Sequence, residues 1–109
     1  MSAHYSLNKS GSQFHFSLKA GNNETILSSE MYASKAGAEN GIASVKQNSS
    51  NDARYTRLES RDKKPYFTLK AANGEVIGTS EMYSSTGARD NGIASCKTNG
   101  PTAPTVDKT

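Results

Sequence analysis

From Phe14 to Ala20 apolar and polar side chains alternate, with Phe14, Phe16, Leu18 and Ala20 on one side and His15, Ser17 and Lys19 on the other. This period of two is the signature of a half-buried β-strand. The alternation returns later, with Phe67, Leu69 and Ala71 set against Tyr66, Thr68 and Lys70, just after Pro65. A proline lacks the N–H a ladder needs and suits a strand's first position. Asn22-Asn23 and Asn73-Gly74 follow, residue types that tolerate the positive φ angles of a two-residue hairpin. Partner strands are therefore predicted over residues 25–28 and 76–79. Ahead of each hairpin, residues 5–9 and 55–59 read as a further strand, with Leu7 and Leu58 in equivalent positions. The connection after that strand is one residue longer in the second case, a difference that belongs in a loop.

Past Tyr32 and Tyr83 the period changes. Ser34 and Ser85 stand where a helix N-cap is expected, since a serine hydroxyl accepts a bond from an orphan first-turn N–H. Ala38, Gly41, Ile42 and Val45 then share one face at helical spacing, as do Gly92, Ile93 and Cys96, with Arg89 at the edge or snorkelling. Each predicted helix is about three turns long. Gly41 and Gly92 fall inside, where glycine costs roughly 1 kcal/mol relative to alanine, so their presence in both helices indicates a close approach to the sheet or the sister helix, with contact to a ligand as the alternative.

The two patterns are one unit written twice. Residues 16–48 align with residues 67–99 without a gap, at 19 identities in 33 positions. A tandem repeat of this kind means one supersecondary unit built twice, with repeat one spanning about 4–52 and repeat two about 54–100. The predicted fold is α+β: a β-β-β-α unit, twice over, forming one antiparallel sheet with both helices on one face and a pseudo-two-fold axis. The other sheet face stays wet. Residues 100–109, rich in Pro, Thr and Gly, read as a loose tail in which Val106 marks a short edge strand near 104–107.

A chain of 109 residues fits one domain, and a single repeat would bury too little apolar surface alone. The net charge of +3 falls short of the dense basic clusters of a committed nucleic-acid binder. No apolar run approaches a membrane span, and the start has neither the basic nor the apolar region of a signal peptide. One cysteine leaves no intrachain disulfide to form and fits a reducing, cytoplasmic setting. Cys96 aligns with Val45, so its position asks for a medium apolar group and not for sulfur chemistry.

The runs LKAANGEVIGTSEMYSS and ARDNGIASCKTN, with their twins LKAGNNETILSSEMY and ENGIASVKQN, resemble the YegP-like family of small uncharacterised proteins. The resemblance covers residues 5–99 and departs only at Asn23, which replaces the usual turn glycine. It implies a repeat of three strands, a helix and a strand, in which two repeats or two subunits share one sheet and exchange their last strands. On that basis the chain is similar to a fused dimer and is expected to be monomeric, with residues 54–59 bridging the two halves. The resemblance carries no established activity and transfers no catalytic residues.

Residues that carry chemistry are sparse. His4 and His15 have no imidazole counterpart in the other repeat, and no metal-ligand spacing, phosphate loop or nucleophile motif occurs. No cofactor is expected. Of the polar residues kept in both copies, Ser29-Glu30 and Ser80-Glu81 lie between strand and helix, where they can satisfy backbone groups or present a carboxylate to a ligand. Met31, Met82, Tyr32 and Tyr83 read as core packing at the sheet edge. The wet face brings together His15, Lys19, Tyr66 and Lys70, with Arg54, Arg57, Arg61, Lys63 and Lys64 nearby. Such a face can bind single-stranded nucleic acid, although Tyr66 is the only large ring available for stacking. The leading expectation is a small binding or accessory module without catalysis, whose candidate ligand contacts are Lys19, Lys70, Tyr66, His15, Glu30 and Glu81. Paired carboxylates of an enzyme would require Glu30 and Glu81 to meet.

Overall fold

The computed structural model describes residues 3–109. In chain order the elements are β1 (His4–Ser10), β2 (Gln13–Lys19), β3 (Thr25–Ser29), α1 (Lys35–Asn48), β4 (Tyr55–Glu59), β5 (Pro65–Lys70), β6 (Val76–Ser80), α2 (Thr86–Asn99) and β7 (Thr105–Asp107), with a single 3-10 turn at Asp52–Arg54. One sheet holds all seven strands in the order β4-β5-β6-β3-β2-β1-β7. The repeats join through β3 and β6, where Ser28 faces Thr79, and this pair marks the pseudo-two-fold axis. Residues 54–59 do not bridge the halves: β4 pairs with β5 alone, at the outer edge. The strand that crosses is β7, which leaves α2 and lies beside β1 of the other repeat. That pair is parallel, so the sheet is mixed where an antiparallel one was expected.

The hairpins turn differently from the simple two-residue form. In the β2–β3 and β5–β6 loops only Asn23 and Gly74 have positive φ, 69° and 87°, and these loops close with Ala20 and Ala71 donating N–H to the Glu24 and Glu75 carbonyls. These are three-residue loops ending in a left-handed residue, which inserts an extra residue into the outgoing strand. Register accordingly shifts after Leu18 and Leu69. Ile26 beside Leu27 is buried as a result, and so is Ile77.

The extra residue in the β4–β5 connection has a larger consequence. Tyr5 pairs with Leu18 and Tyr55 with Leu69, so Leu7, opposite Phe16, corresponds to Arg57, opposite Phe67. Leu58 corresponds instead to Asn8 and lies on the other face. A one-residue slip flips every side chain, which explains why Leu7 is fully buried while Leu58 is half-buried.

Each helix runs 14 residues, nearer four turns than three. Ser34 and Ser85 cap them as expected, their hydroxyls accepting from the Gly37 and Ala88 N–H groups at 3.0 and 3.1 Å. Gly41 and Gly92 sit against the Tyr-Phe stacks of their own repeats, Tyr32 on Phe16 and Tyr83 on Phe67. The sister helices meet at their C-terminal ends, where Ser49 packs on Gly100. Tyr5 of repeat one donates its hydroxyl to the Gly100 carbonyl at 2.7 Å, and Tyr55 of repeat two donates to the Ser49 carbonyl at 2.6 Å. Each repeat thus caps the other's helix.

Burial, and the nearby Cys96, push the phenol pKa values of both tyrosines above the ordinary value near 10. A raised folded-state value means stability is fully present below the unfolded value and is lost as pH rises through the folded one. Chemical denaturation between pH 9 and 12 should therefore show a steep loss above pH 10. Tyr5→Phe/Tyr55→Phe should be less stable at pH 7 but flatter across that range, and an unchanged slope would contradict this origin.

The tail is tied down. Tyr5 donates its N–H to the Pro104 carbonyl and Lys108 to the Leu7 carbonyl, both at 2.8 Å, while Ala103 is buried. Lys35 of α1 bonds Asp107 and holds that carboxyl well below its usual range. The stabilising effect of a depressed carboxyl is present above its unfolded pKa and lost as pH falls. Asp107→Asn should speed amide exchange at Tyr5 and Lys108, and unchanged protection would show that the ion pair does not hold β7.

Candidate functional site

The helix-free sheet face is organised by register. Ser6, Ser17, Ser28, Thr79, Thr68 and Thr56 pair in succession across six strands, forming one transverse row of hydroxyls. At about 4.8 Å per strand the row is roughly 24 Å long. Ser6 and Thr68 are buried although no helix covers them, and the Thr68 hydroxyl has no hydrogen-bond partner. His15, Lys19, Tyr66 and Lys70 all lie on this face, as expected. They do not converge, because β2 and β5 run in opposite directions in the sheet, which places Lys19 and Lys70 at diagonally opposite corners. The basic crowd is also thinner than the sequence suggests. Arg57 lies in helix-side register and pairs with Asp52 and Asp90 at 3.7 and 3.4 Å, and Arg54 donates to the Asn48 side chain at 3.1 Å. The only acidic strand residues, Glu59 and Asp107, are in helix-side register, which leaves the open-face strand positions free of carboxylates.

The polar residues kept in both repeats divide in two. Ser29 and Ser80 are structural: each hydroxyl accepts a backbone N–H, from Phe16 and Phe67 at 2.9 Å, and donates to the following glutamate carbonyl at 2.8 Å. Lys46 and Lys97 lay their ammonium groups over the Tyr5 and Tyr55 rings, 5.7 and 5.8 Å from the centroids. Glu30 and Glu81 have no such duty. They follow β3 and β6, which are antiparallel, and so leave the pair at opposite ends, about 13 Å apart along the strands. The paired-carboxylate arrangement does not form. Among the described residues no group of three or more His, Cys, Asp or Glu side chains is placed to hold a metal.

Glu81 instead borders an open groove of about 570 Å³ between the repeats. One wall is the hairpin of repeat one, with Asn22, Glu24 and Ile26. The other wall, from repeat two, is the Glu81-Met82-Tyr83 segment and the α2 face bearing Asn91, Gly92 and Ser95. Of the twelve lining residues ten are identical at the matching position of the other repeat, against 19 of 33 for the repeat as a whole. Some have structural reasons: Asn22 accepts from the Glu24 N–H at 3.1 Å, and Ser95 accepts from the Asn99 amide at 3.2 Å. The carboxylates of Glu24 and Glu81 have no ion-pair partner among the described residues. Burial raises the Tyr83 phenol pKa first, and the charges of Cys96, Glu81 and Glu24 add to it.

The methionines correct the core reading. Met82 is 49 % exposed and Met31 is 45 % exposed, so an apolar side chain is kept in solvent twice. Sequence reasoning assigned these motifs separately to turn, loop and helix, because nothing local indicates that the hairpin of one repeat meets the Ser-Glu-Met-Tyr segment of the other. The available signal was that all three segments carry polar residues kept in both repeats: Asn22 and Glu24, Glu30, and Asn40, with their counterparts. Cys96 is buried as expected, its thiol pushed up to about 11 by desolvation, in part offset by the polar Tyr55 hydroxyl beside it.

The profile of the family described as "Domain of unknown function (DUF1508)" matches residues 9–55 and again residues 60–107. The chain belongs to this family. The two matches fall one in each half of the chain, 51 residues apart at their starts, as a tandem repeat of one family unit requires. Among similar members, a UPF0339 protein of Bordetella pertussis is 59 % identical over 109 residues, covering 100 % of this chain and 98 % of the relative. The UPF0339 protein YegP of Escherichia coli O157:H7 is 52 % identical over 110 residues, covering 100 % of each. The solution NMR structure of a UPF0339 protein from Shewanella oneidensis shares 57 % identity, with a TM-score of 0.91 over 98 % of this chain and 92 % of that one. The solution NMR structure of yegP from E. coli, a protein of unknown function, gives 50 % identity and a TM-score of 0.93 over 100 % and 95 %. Family fold and tandem organisation are thus shared. No helix among the described residues is long and apolar enough to cross a membrane.

Proposed function

We propose that this protein is a small, non-catalytic binding module that takes its ligand in the cross-repeat groove. The observation carrying this reading is the convergence there of three sequence segments kept in both repeats, from the hairpin, the Ser-Glu-Met-Tyr run and the helix, with Glu24, Glu81 and Met82 exposed and free of structural duty. A concave site of a few hundred Å³ with an apolar floor and a few polar groups is the ordinary form of a small-ligand site. The two histidines and the buried, protonated Cys96 lie outside its lining, which favours recognition over turnover. In this reading the chain acts as a cytoplasmic monomer, since contacts that would join two single-repeat subunits are made within it. A residue-resolved chemical-shift titration of the whole protein against nucleotides, oligonucleotides, amines, carboxylates and peptides tests it. Shifts should concentrate on Asn22, Glu24, Glu81 and Asn91. Shifts confined to other surfaces, or turnover of any panel member that depends on Glu81, would overturn it.

A second reading places single-stranded nucleic acid on the open face, favoured by the hydroxyl row, Lys19, Lys70 and the lack of strand carboxylates. With two lysines as phosphate contacts, log K should fall with log salt at a slope of about −1.4. Fluorescence anisotropy of short RNA and DNA would show this, and Lys19→Ala/Lys70→Ala should remove it. No binding at low salt ends this reading.

A further inference from the structure

We infer that the groove selects a small organic cation, a primary ammonium or guanidinium carried on a short apolar body; this rests on the groove being the binding site. Its lining contains Glu24 and Glu81 and no lysine, arginine or histidine. A protein of net charge +3 has thus left two carboxylates unpaired on facing walls from different repeats. Elsewhere three acids are matched, Asp52 by Lys97 and Arg57, Asp90 by Arg57 and Arg89, and Asp107 by Lys35; Glu24 and Glu81 differ from the remaining unpaired acids in sharing one groove. Unmatched charge in a concavity focuses potential and raises the local concentration of the opposite ion.

Charge alone would suit a metal ion as well, but the rest of the lining argues for an organic one. Ile26, Ala88 and the Tyr83 ring give the groove an apolar floor, and Met82 stands at its rim, 49 % exposed. A thioether is polarizable and conforms to irregular apolar ligands, and an aromatic face attracts a cation. The Asn91 side chain on the same wall adds a carbonyl acceptor for an N–H donor. Ten of these twelve positions are repeated as Asn73, Glu75, Glu30, Met31, Asn40 and their neighbours. A related site in the other half follows from the same chemistry, altered where Val76 replaces Thr25 and Gly37 replaces Ala88.

The test uses three probes with one apolar body: n-hexylammonium, n-hexanol and n-hexanoate, each titrated into the intact protein by NMR at low salt. Hexylammonium should shift Asn22, Glu24, Glu81 and Asn91 and bind about tenfold more tightly than hexanol, with hexanoate weakest. Glu24→Gln/Glu81→Gln should erase that preference while a thermal melt shows the fold intact, both side chains being exposed and unpaired. Equal groove shifts with hexanol or hexanoate would overturn the cation preference and leave the groove as the site. If none of the three probes shifts groove residues, both readings fall. A preference that survives the double substitution would place the cation elsewhere and overturn the inference.

Discussion

Gly92→Ala should destabilise the protein by about 1–3 kcal/mol, and Gly41→Ala by a similar amount, although the same change on an exposed helix stabilises by roughly 1 kcal/mol. Packing reverses the sign. A Cβ at Gly92 would lie 2.7 Å from Tyr83 Cζ and 3.3 Å from Phe67 Cε2, and one at Gly41 would lie 2.8 Å from Phe16 Cε2 and 2.9 Å from Tyr32 Cζ. The tyrosine rings cannot swing aside freely, because each is stacked on its phenylalanine at interplanar angles of 9° and 15°. Urea denaturation gives the measurement, and a Tyr83→Ala background supplies the control. There Gly92→Ala should become neutral or stabilising, since the helix preference is then opposed only by the 3.3 Å approach to Phe67. A destabilisation that persists without the ring would place the constraint in the helix backbone instead. Because Gly92 and Tyr83 both line the groove, the substitution should also disturb the ligand contacts proposed there.

The second large effect lies on the pseudo-symmetry axis. Leu27 and Gly78 occupy matching positions in the two repeats and are in contact: a Cβ at Gly78 would come 2.6 Å from Leu27 Cγ. One leucine fills the space that two symmetric residues would share. Leu27→Ala should cost about 2–5 kcal/mol, as for other buried leucines, and Gly78→Leu about 1–3 kcal/mol or more through overpacking. The exchange Leu27→Gly/Gly78→Leu should recover much of the loss, because the axis presents nearly the same cavity from either side. Residues in contact commonly couple by about 0.5–3 kcal/mol. Additive losses in the double variant would show that the two sides of the axis are not interchangeable.

Much of the fold was legible because its causes are local. The alternation around Phe16 and Phe67, the capping serines and the helical stripe each depend on residues a few positions apart. Propensity and capping act over that range. Val106 was legible as an edge strand, but its direction was not, since parallel pairing with β1 depends on where α2 delivers the chain. Leu58 illustrates another limit. The longer connection was visible, yet the face on which Arg57 and Leu58 fall depends on which residue of β5 pairs with which of β4.

The candidate site was less legible for a related reason. Lys19, Lys70, His15 and Tyr66 were placed correctly on one face, because side-chain direction follows from alternation. Their separation to opposite corners follows from strand order, which alternation does not encode. Glu30 and Glu81 were recognised as polar residues kept in both copies and as candidate ligand contacts, but nothing local showed what either would face. Glu81 faces the other repeat's hairpin instead. Met31 and Met82 read as core because methionine is apolar, and only the path of the segment after Ser80 shows them in solvent.

By itself the sequence determined the duplicated unit, the elements in each copy, their caps, and the apolar faces that must be buried, since these follow from the chemistry of neighbouring residues. Tertiary structure alone decided that β3 meets β6, that β7 crosses to β1, and that the hairpin of one repeat faces the Glu81-Met82-Tyr83 segment of the other. Strand order sets which distant residues become neighbours. The groove therefore belongs to neither repeat alone and exists only once the two are joined.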